Sequence, residues 1–160
     1  MPTPRRLSVI ALPIALLLLW AVTAGCSGNS RITATIQAGS ASAAVGAEAQ
    51  APVQALAVAA PGLGAWTINI DYDPAVVSIT TCESPPPSAC NTHKDDHTVR
   101  LAGASAPGEQ GDVTLMTMTF LCKAAGTSAL KVTVELLADG TIGKPRSITP
   151  HAKDGSITCT

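Results

Sequence analysis

From Trp66 to Tyr72 apolar and polar residues alternate without a break. Trp66, Ile68, Ile70 and Tyr72 fall on one side, and Thr67, Asn69 and Asp71 fall on the other. A period of two is that of a strand with one face buried and one wet; a helix would mix the two sets. Gly62-Leu63-Gly64 leads into this strand and Asp73-Pro74 ends it. Proline brings no backbone donor and fixes φ for a turn. Val76, Val77 and Ile79 open a further strand at once.

The same alternation recurs along the chain. Ile32–Ile36, Pro52–Val58 and Val76–Thr81 read as the first, second and fourth strands, with Trp66–Tyr72 the third. Thr98–Ala102, Asp112–Cys122, Lys131–Leu137, a short edge strand at Ser147–Thr149 and Gly155–Cys159 complete the set. Met116, Met118, Phe120 and Cys122 share an inward face, opposed by Thr117 and Thr119. Val132, Val134 and Leu136 oppose Lys131, Thr133 and Glu135. Gly39–Gly46, Pro61-Gly62, Cys82–His97 and Gly103–Gly111 read as loops or turns. About nine short strands at roughly ten-residue spacing, without helical periodicity, predict an all-β, nine-stranded β-sandwich.

The start of the chain carries a different signal. Arg5 and Arg6 precede an apolar run, Leu7–Val22, and Thr23-Ala24-Gly25 supplies small residues. This pattern predicts a secretory signal peptide over residues 1–25, its apolar run being short for a membrane span. Small-small-Cys before the fold resembles a bacterial lipobox, although Thr23 stands where an aliphatic residue is usual. Cys26 is accordingly expected to carry lipid, with 26–30 as a short tether and 31–160 as one domain. Extended, the four or five tether residues reach at most about 17 Å, which would hold the domain against the membrane.

The remaining cysteines, Cys82, Cys90, Cys122 and Cys159, form an even set for an oxidising compartment. Cys82 and Cys90 flank Pro85-Pro86-Pro87 and are expected to pair; Cys122 and Cys159 would then pair, other pairings staying open. Chain-entropy arguments give about 2.5 kcal/mol for the short loop and about 4 kcal/mol for the long one. Setting aside Arg5 and Arg6, eight Lys and Arg stand against 11 Asp and Glu. No basic patch points to nucleic acid, and no acidic run points to a charged tail.

Several motifs together resemble a cohesin domain, the receptor module of cellulosome scaffoldins. These are Val45-Gly46 before Pro52-Val53, Gly62-Leu63 before the third strand, and the Tyr72-Asp73-Pro74 turn followed by Val76-Val77. Gly111, Leu115 and Thr119-Phe120 follow in order, and the chain closes on Gly155-x-Ile157-x-Cys159. The similarity covers most of Ile32–Cys159. It implies a non-catalytic binding module for a dockerin, a small calcium-loaded module borne by secreted enzymes. It also implies jelly-roll topology for the nine-stranded β-sandwich, and contact through one flat sheet face. The outward residues assigned to that face are Thr67, Asn69, Asp71, Arg100, Thr117 and Thr119. Many type I cohesins carry Asn-x-Asp early in the third strand; here Ala65 and Thr67 hold those positions.

Other chemistry has little support. The chain lacks Gly-x-Ser-x-Gly, His-Glu-x-x-His and a phosphate-cradling glycine loop. Asp71 with Asp73, and Asp95 with Asp96, are read as a strand face, a turn and a loop tip, not as catalytic pairs, and no catalytic residue is assigned. His93 and His97 converge on a metal only if helical, and His151 stands alone, so no metal or cofactor is expected. Trp66, Tyr72 and Phe120 all point inward, which disfavours a planar sugar-stacking platform. The expected protein is a monomeric dockerin receptor at the bacterial cell envelope or cell surface, touching the membrane through its lipid alone. It would hold a polysaccharide-degrading enzyme or similar partner. The alternatives are a carbohydrate-binding module with a glycan ligand, or a structural envelope lipoprotein.

Overall fold

The computed structural model describes residues 32–160. The expected signal peptide, Cys26 and the expected tether lie outside them. Nine strands follow in order: β1 (Thr33–Ala38), β2 (Ser40–Ala43), β3 (Glu48–Asp71), β4 (Val77–Glu83), β5 (Ala89–Asn91), β6 (Thr98–Cys122), β7 (Gly126–Asp139), β8 (Thr149–Lys153) and β9 (Gly155–Cys159). The chain is the nine-stranded β-sandwich expected, but its strands are divided differently.

Two long strands serve both layers. The first half of β3 pairs with β1 on one side and with Val113–Leu121 of β6 on the other. Its second half changes partners, pairing with Thr98–Ala104 of β6 and with Lys131–Asp139 of β7. One layer is therefore β8, β1, the first half of β3, the second half of β6, and β4. The other is the second halves of β7 and β3, the first half of β6, and β5. β2 and β9 close one side against Gly126–Leu130. The breaks expected at Pro61-Gly62 and Gly103–Gly111 are register shifts inside continuous pairing. Gly39–Gly46, expected to be a loop, contains β2, which is held by parallel pairing to β9; Cys82–His97 contains β5, held by β6. A partner more than a hundred residues away imposes β2, and the nearby start of β6 imposes β5, where local pattern shows no strand.

The alternation sorts the core as anticipated. Trp66, Ile68, Ile70 and Tyr72 are buried with Met116, Met118, Phe120 and Cys122. Tyr72 and Phe120 meet edge to face with centroids 5.3 Å apart, a favoured ring geometry. Burying each such side chain stabilises the fold by about 1.5–3 kcal/mol, and truncating Phe120 to Ala would cost about 3–5 kcal/mol. Disulfides join Cys82 to Cys90 and Cys122 to Cys159. The second ties the last strand to the end of β6 inside the core.

Where β3 and β6 cross between layers, backbone touches backbone. Gly62 and Gly108 hold left-handed φ values of 95° and 74°. A Cβ on Gly62 would lie 2.7 Å from the Gly108 carbonyl carbon, one on Gly140 would lie 2.8 Å from the Gly108 Cα, and one on Gly108 would strike the Pro61 oxygen. The Gly140 N–H donates to the Gly62 carbonyl at 3.0 Å. Gly111 is also left-handed, at 77°, yet nothing among the described residues lies within 4 Å of its missing Cβ. Gly111→Ala should therefore cost only the conformational term, about 1 kcal/mol. Gly108→Ala should cost at least about twice that, because backbone must also move; urea unfolding of the two variants measures the difference.

Candidate functional site

The outward face of the second layer is laid out in rows by strand register. Lys131, Asp71 and Thr98 form one row; Thr133, Asn69, Arg100 and Asn91 form the next. Leu136, Thr67, Ala102 and Ala89 follow, then Ala138, Ala65 and Ala104. One half of the face is thus polar and charged, the other flat and alanine-rich.

Glu135 organises the polar half. Thr67 pairs with Leu136 and Ile68 with Val134, so Glu135 is the extra residue of a β-bulge. Its carboxylate accepts from the Asn69 Nδ2 at 2.6 Å and from the Arg100 guanidinium, with the Lys94 Nζ at 4.0 Å. The Asn69 hydrogen bond, then the charges of Arg100 and Lys94, hold Glu135 below the usual carboxylate range against the opposing effect of desolvation. A carboxylate only accepts, which fixes the Asn69 amide with its nitrogen towards Glu135. The Asn69 Oδ1 is left buried without a donor among the described residues. Beside it, the Thr98 hydroxyl donates to Asp71 at 2.7 Å.

The bulge also changes the phase of β7. Leu136, expected to face inward with Val132 and Val134, is 49% exposed, and Leu137 takes the core position. Leu136 thereby joins the alanine-rich half. Ile142, 89% exposed, rises at the far end beside a depression of about 320 Å³ lined by Gly64, Ala65, Ala106, Ala138 and Pro145.

Of the residues assigned to this face from sequence, the structure brings Thr67, Asn69, Asp71 and Arg100 together. Thr117 and Thr119 are a correction. They pair with Pro52 and Gln50 on one side and with Glu83 and Thr81 on the other, in the opposite layer. β6 crosses between layers before it reaches them, so they share a strand with Arg100 but not a face. Although Ala65 and Thr67 stand where many type I cohesins carry Asn-x-Asp, Asn69 and Asp71 place those two side chains four residues later on the same face. Glu135 was legible as an outward residue; its grip on Asn69 and Arg100 depends on the bulge, which leaves no mark in the alternation.

The histidine loop is built from local turns. The Asn91 and Asp95 carboxamide and carboxylate accept from the His93 and His97 backbone N–H at 2.9 and 3.1 Å. Among the described residues no group of three or more His, Cys, Asp or Glu is placed to hold a metal. Asp71, Asp73 and Asp139 serve structure: Asp73 accepts from the Ala75 N–H at 2.9 Å.

The fold and this open face define the class: a β-sandwich module with one exposed sheet surface, polar at one half and apolar at the other. The cohesin domain family model matches residues 34–159. The chain belongs to the cohesin domain family. No curated protein sequence matches it significantly. Among solved structures, the seventh ScaB type I cohesin from Pseudobacteroides cellulosolvens aligns with a TM-score of 0.72 at 21% identity, covering 81% of this chain and 93% of that one. A non-cellulosomal cohesin from the archaeon Archaeoglobus fulgidus aligns at 0.68 and 20% identity, covering 80% and 91%. The Coh-OlpA–Doc918 complex, a type I cohesin–dockerin complex from Clostridium thermocellum, aligns at 0.68 and 17% identity, covering 80% and 99%. At these identities the likeness is one of fold.

The loop that carries Ile142 is anchored by Asp139, whose side chain is fully buried. It accepts from the Arg146 N–H at 2.9 Å, the Thr141 N–H at 3.1 Å and the Arg146 Nε at 2.9 Å. The Arg146 backbone bond is the leading cause that lowers its pKa from 3.8 to about 2. A carboxylate lowered in the folded state stabilises it fully above its ordinary pKa, and that contribution is lost as pH falls through the folded value. Unfolding midpoints in urea should therefore drop as pH falls from 3.8 to about 2. Asp139→Asn should remove that part of the slope.

Proposed function

We propose that this cohesin module is a non-catalytic receptor that docks a dockerin-bearing extracellular protein through the Asn69–Arg100–Glu135 face. The observation that carries the reading is the face itself: four strands in register, a fixed ionic cluster at one half and bare alanine at the other. Its rows span about 20 Å along the strands and about 15 Å across them, the footprint of one helix of three to four turns. A partner helix can lay an apolar stripe on Ala65, Ala102, Ala104 and Leu136 while its polar end meets Arg100, Lys94 and Lys131. The alignment with a cohesin solved in complex with its dockerin supports the same reading. The captured protein is proposed to be a polysaccharide-degrading enzyme, held at the bacterial cell envelope by lipid on Cys26.

Arg100 is central, buried on contact and paired, the profile of an interface anchor. In pull-downs with calcium-loaded dockerin modules, Arg100→Ala should weaken capture by at least about tenfold. Gln50→Ala, on the opposite layer, should leave it unchanged. Equal capture by the parent protein and by Arg100→Ala would place docking elsewhere. Separately, Cys26→Ala should move the protein from the membrane fraction to the soluble one; membrane association that persists would rule out the lipid anchor.

A further inference from the structure

The sheet is interrupted beside β6, and the interruption has a cause in the sequence. Pro85, Pro86 and Pro87 have no N–H with which to continue a ladder. β4 therefore stops at Glu83, opposite Thr117, and β5 begins at Ala89, opposite Ala102. The Cys82–Cys90 disulfide fastens the two ends of the detour. Between Ala102 and Thr117, β6 has neither β4 nor β5 beside it, and a groove lies there.

The groove consists of two adjoining hollows that share Pro85 and Thr114. One, of about 240 Å³, is lined by Trp66, Ser88 and Glu109; the other, of about 280 Å³, by Glu83, Ser84 and Thr117. Each thus offers one carboxylate, hydroxyl groups and a proline wall. Among the described residues no Lys, Arg or His lines either. Glu109 directs one oxygen to the Ser105 hydroxyl at 2.7 Å. Trp66 is 3% exposed, and its indole N–H has no acceptor among the described residues. A buried donor left unpaired costs about 1–3 kcal/mol, which an oxygen-bearing ligand could recover.

We propose that this groove binds two consecutive pyranose units of a glycan. Each hollow falls below the roughly 300 Å³ at which drug-sized pockets begin, so each suits one ring. Carboxylates without neighbouring cations accept sugar hydroxyls, the indole N–H donates to a sugar oxygen, and proline packs against ring C–H groups. Lining chemistry that repeats from one hollow to the next suits a ligand that repeats. An extended peptide added as a strand fits less well. The β6 edge is bent by the left-handed Gly108 and Gly111, at φ 74° and 77°, and Pro107 lacks a donor. Asn69, Arg100 and Glu135 are not part of this groove, so a glycan and a docked protein could be held together. The proposal goes beyond docking and does not depend on it.

The test is titration of the isotopically labelled protein with cellohexaose, xylohexaose and chitohexaose, followed by NMR. At least one should bind saturably, shifting the Trp66 indole N–H with the Ser88 and Thr114 amides. Glu109→Gln should weaken that binding by about tenfold. Glu83→Gln, at an exposed position, should weaken it as well and keeps the test valid if Glu109→Gln fails to fold. No shift from any of the three sugars at millimolar concentration would overturn the proposal. So would sugar affinity unchanged in both variants. Shifts along Gly103–Val113 from an added Thr-Val-Thr-Val-Thr-Val peptide, with none from the sugars, would overturn it in favour of strand addition.

Discussion

The sandwich depends on the place where β3 and β6 pass from one layer to the other. Both crossings occur side by side, and the backbones meet at Gly62, Gly108 and Gly140. Two long strands can each serve two layers only if they bend together, and bending together requires a contact too close for any Cβ. The Gly140 N–H bonded to the Gly62 carbonyl adds β7 to the same knot. Everything downstream is set by that geometry. It decides which half of β6 lies beside Asn69 and which half lies beside Gln50, and hence which side chains share a surface.

The Asn69–Arg100–Glu135 face shows how a small irregularity can organise a polar surface. One extra residue in β7 brings Glu135 over the sheet, where it holds Asn69 and Arg100 in fixed positions. Such ion pairs contribute little to stability at an exposed site. Their value is positional: an arginine held in one rotamer loses less conformational freedom on meeting a partner. The same bulge turns Leu136 outward, so a single insertion sets both the ionic centre and the apolar margin.

Much of this was legible in the chain itself. The period of two in Trp66–Tyr72 and Met116–Cys122 picked out the core face correctly, because any slip would expose it, although Asn69 and Thr119 on the other face are covered as well. The cysteines about the triproline pair as their positions suggest. What stayed hidden was long-range. Ser40–Ala43 has no hydrophobic alternation and becomes a strand only because β9 lies alongside. Thr117 and Thr119 alternate perfectly with the core residues around them, yet alternation says which side of a strand a residue takes, not which layer that stretch has entered. Leu136 was misplaced because a bulge resets the phase without altering the composition.

On the docking proposed above, the alanine rows of the face carry a consequence for how recognition can change. At Ala65, Ala102, Ala104 and Ala138 the side chain is already a single methyl group, and the partner can approach almost to the backbone. Nearly every substitution there adds volume. Mutation in this half can therefore make the receptor more exclusive, through steric bumps that reject some partners, far more readily than it can make it more permissive. On that docking, selectivity at this half of the face would be gained by adding volume and not by removing it.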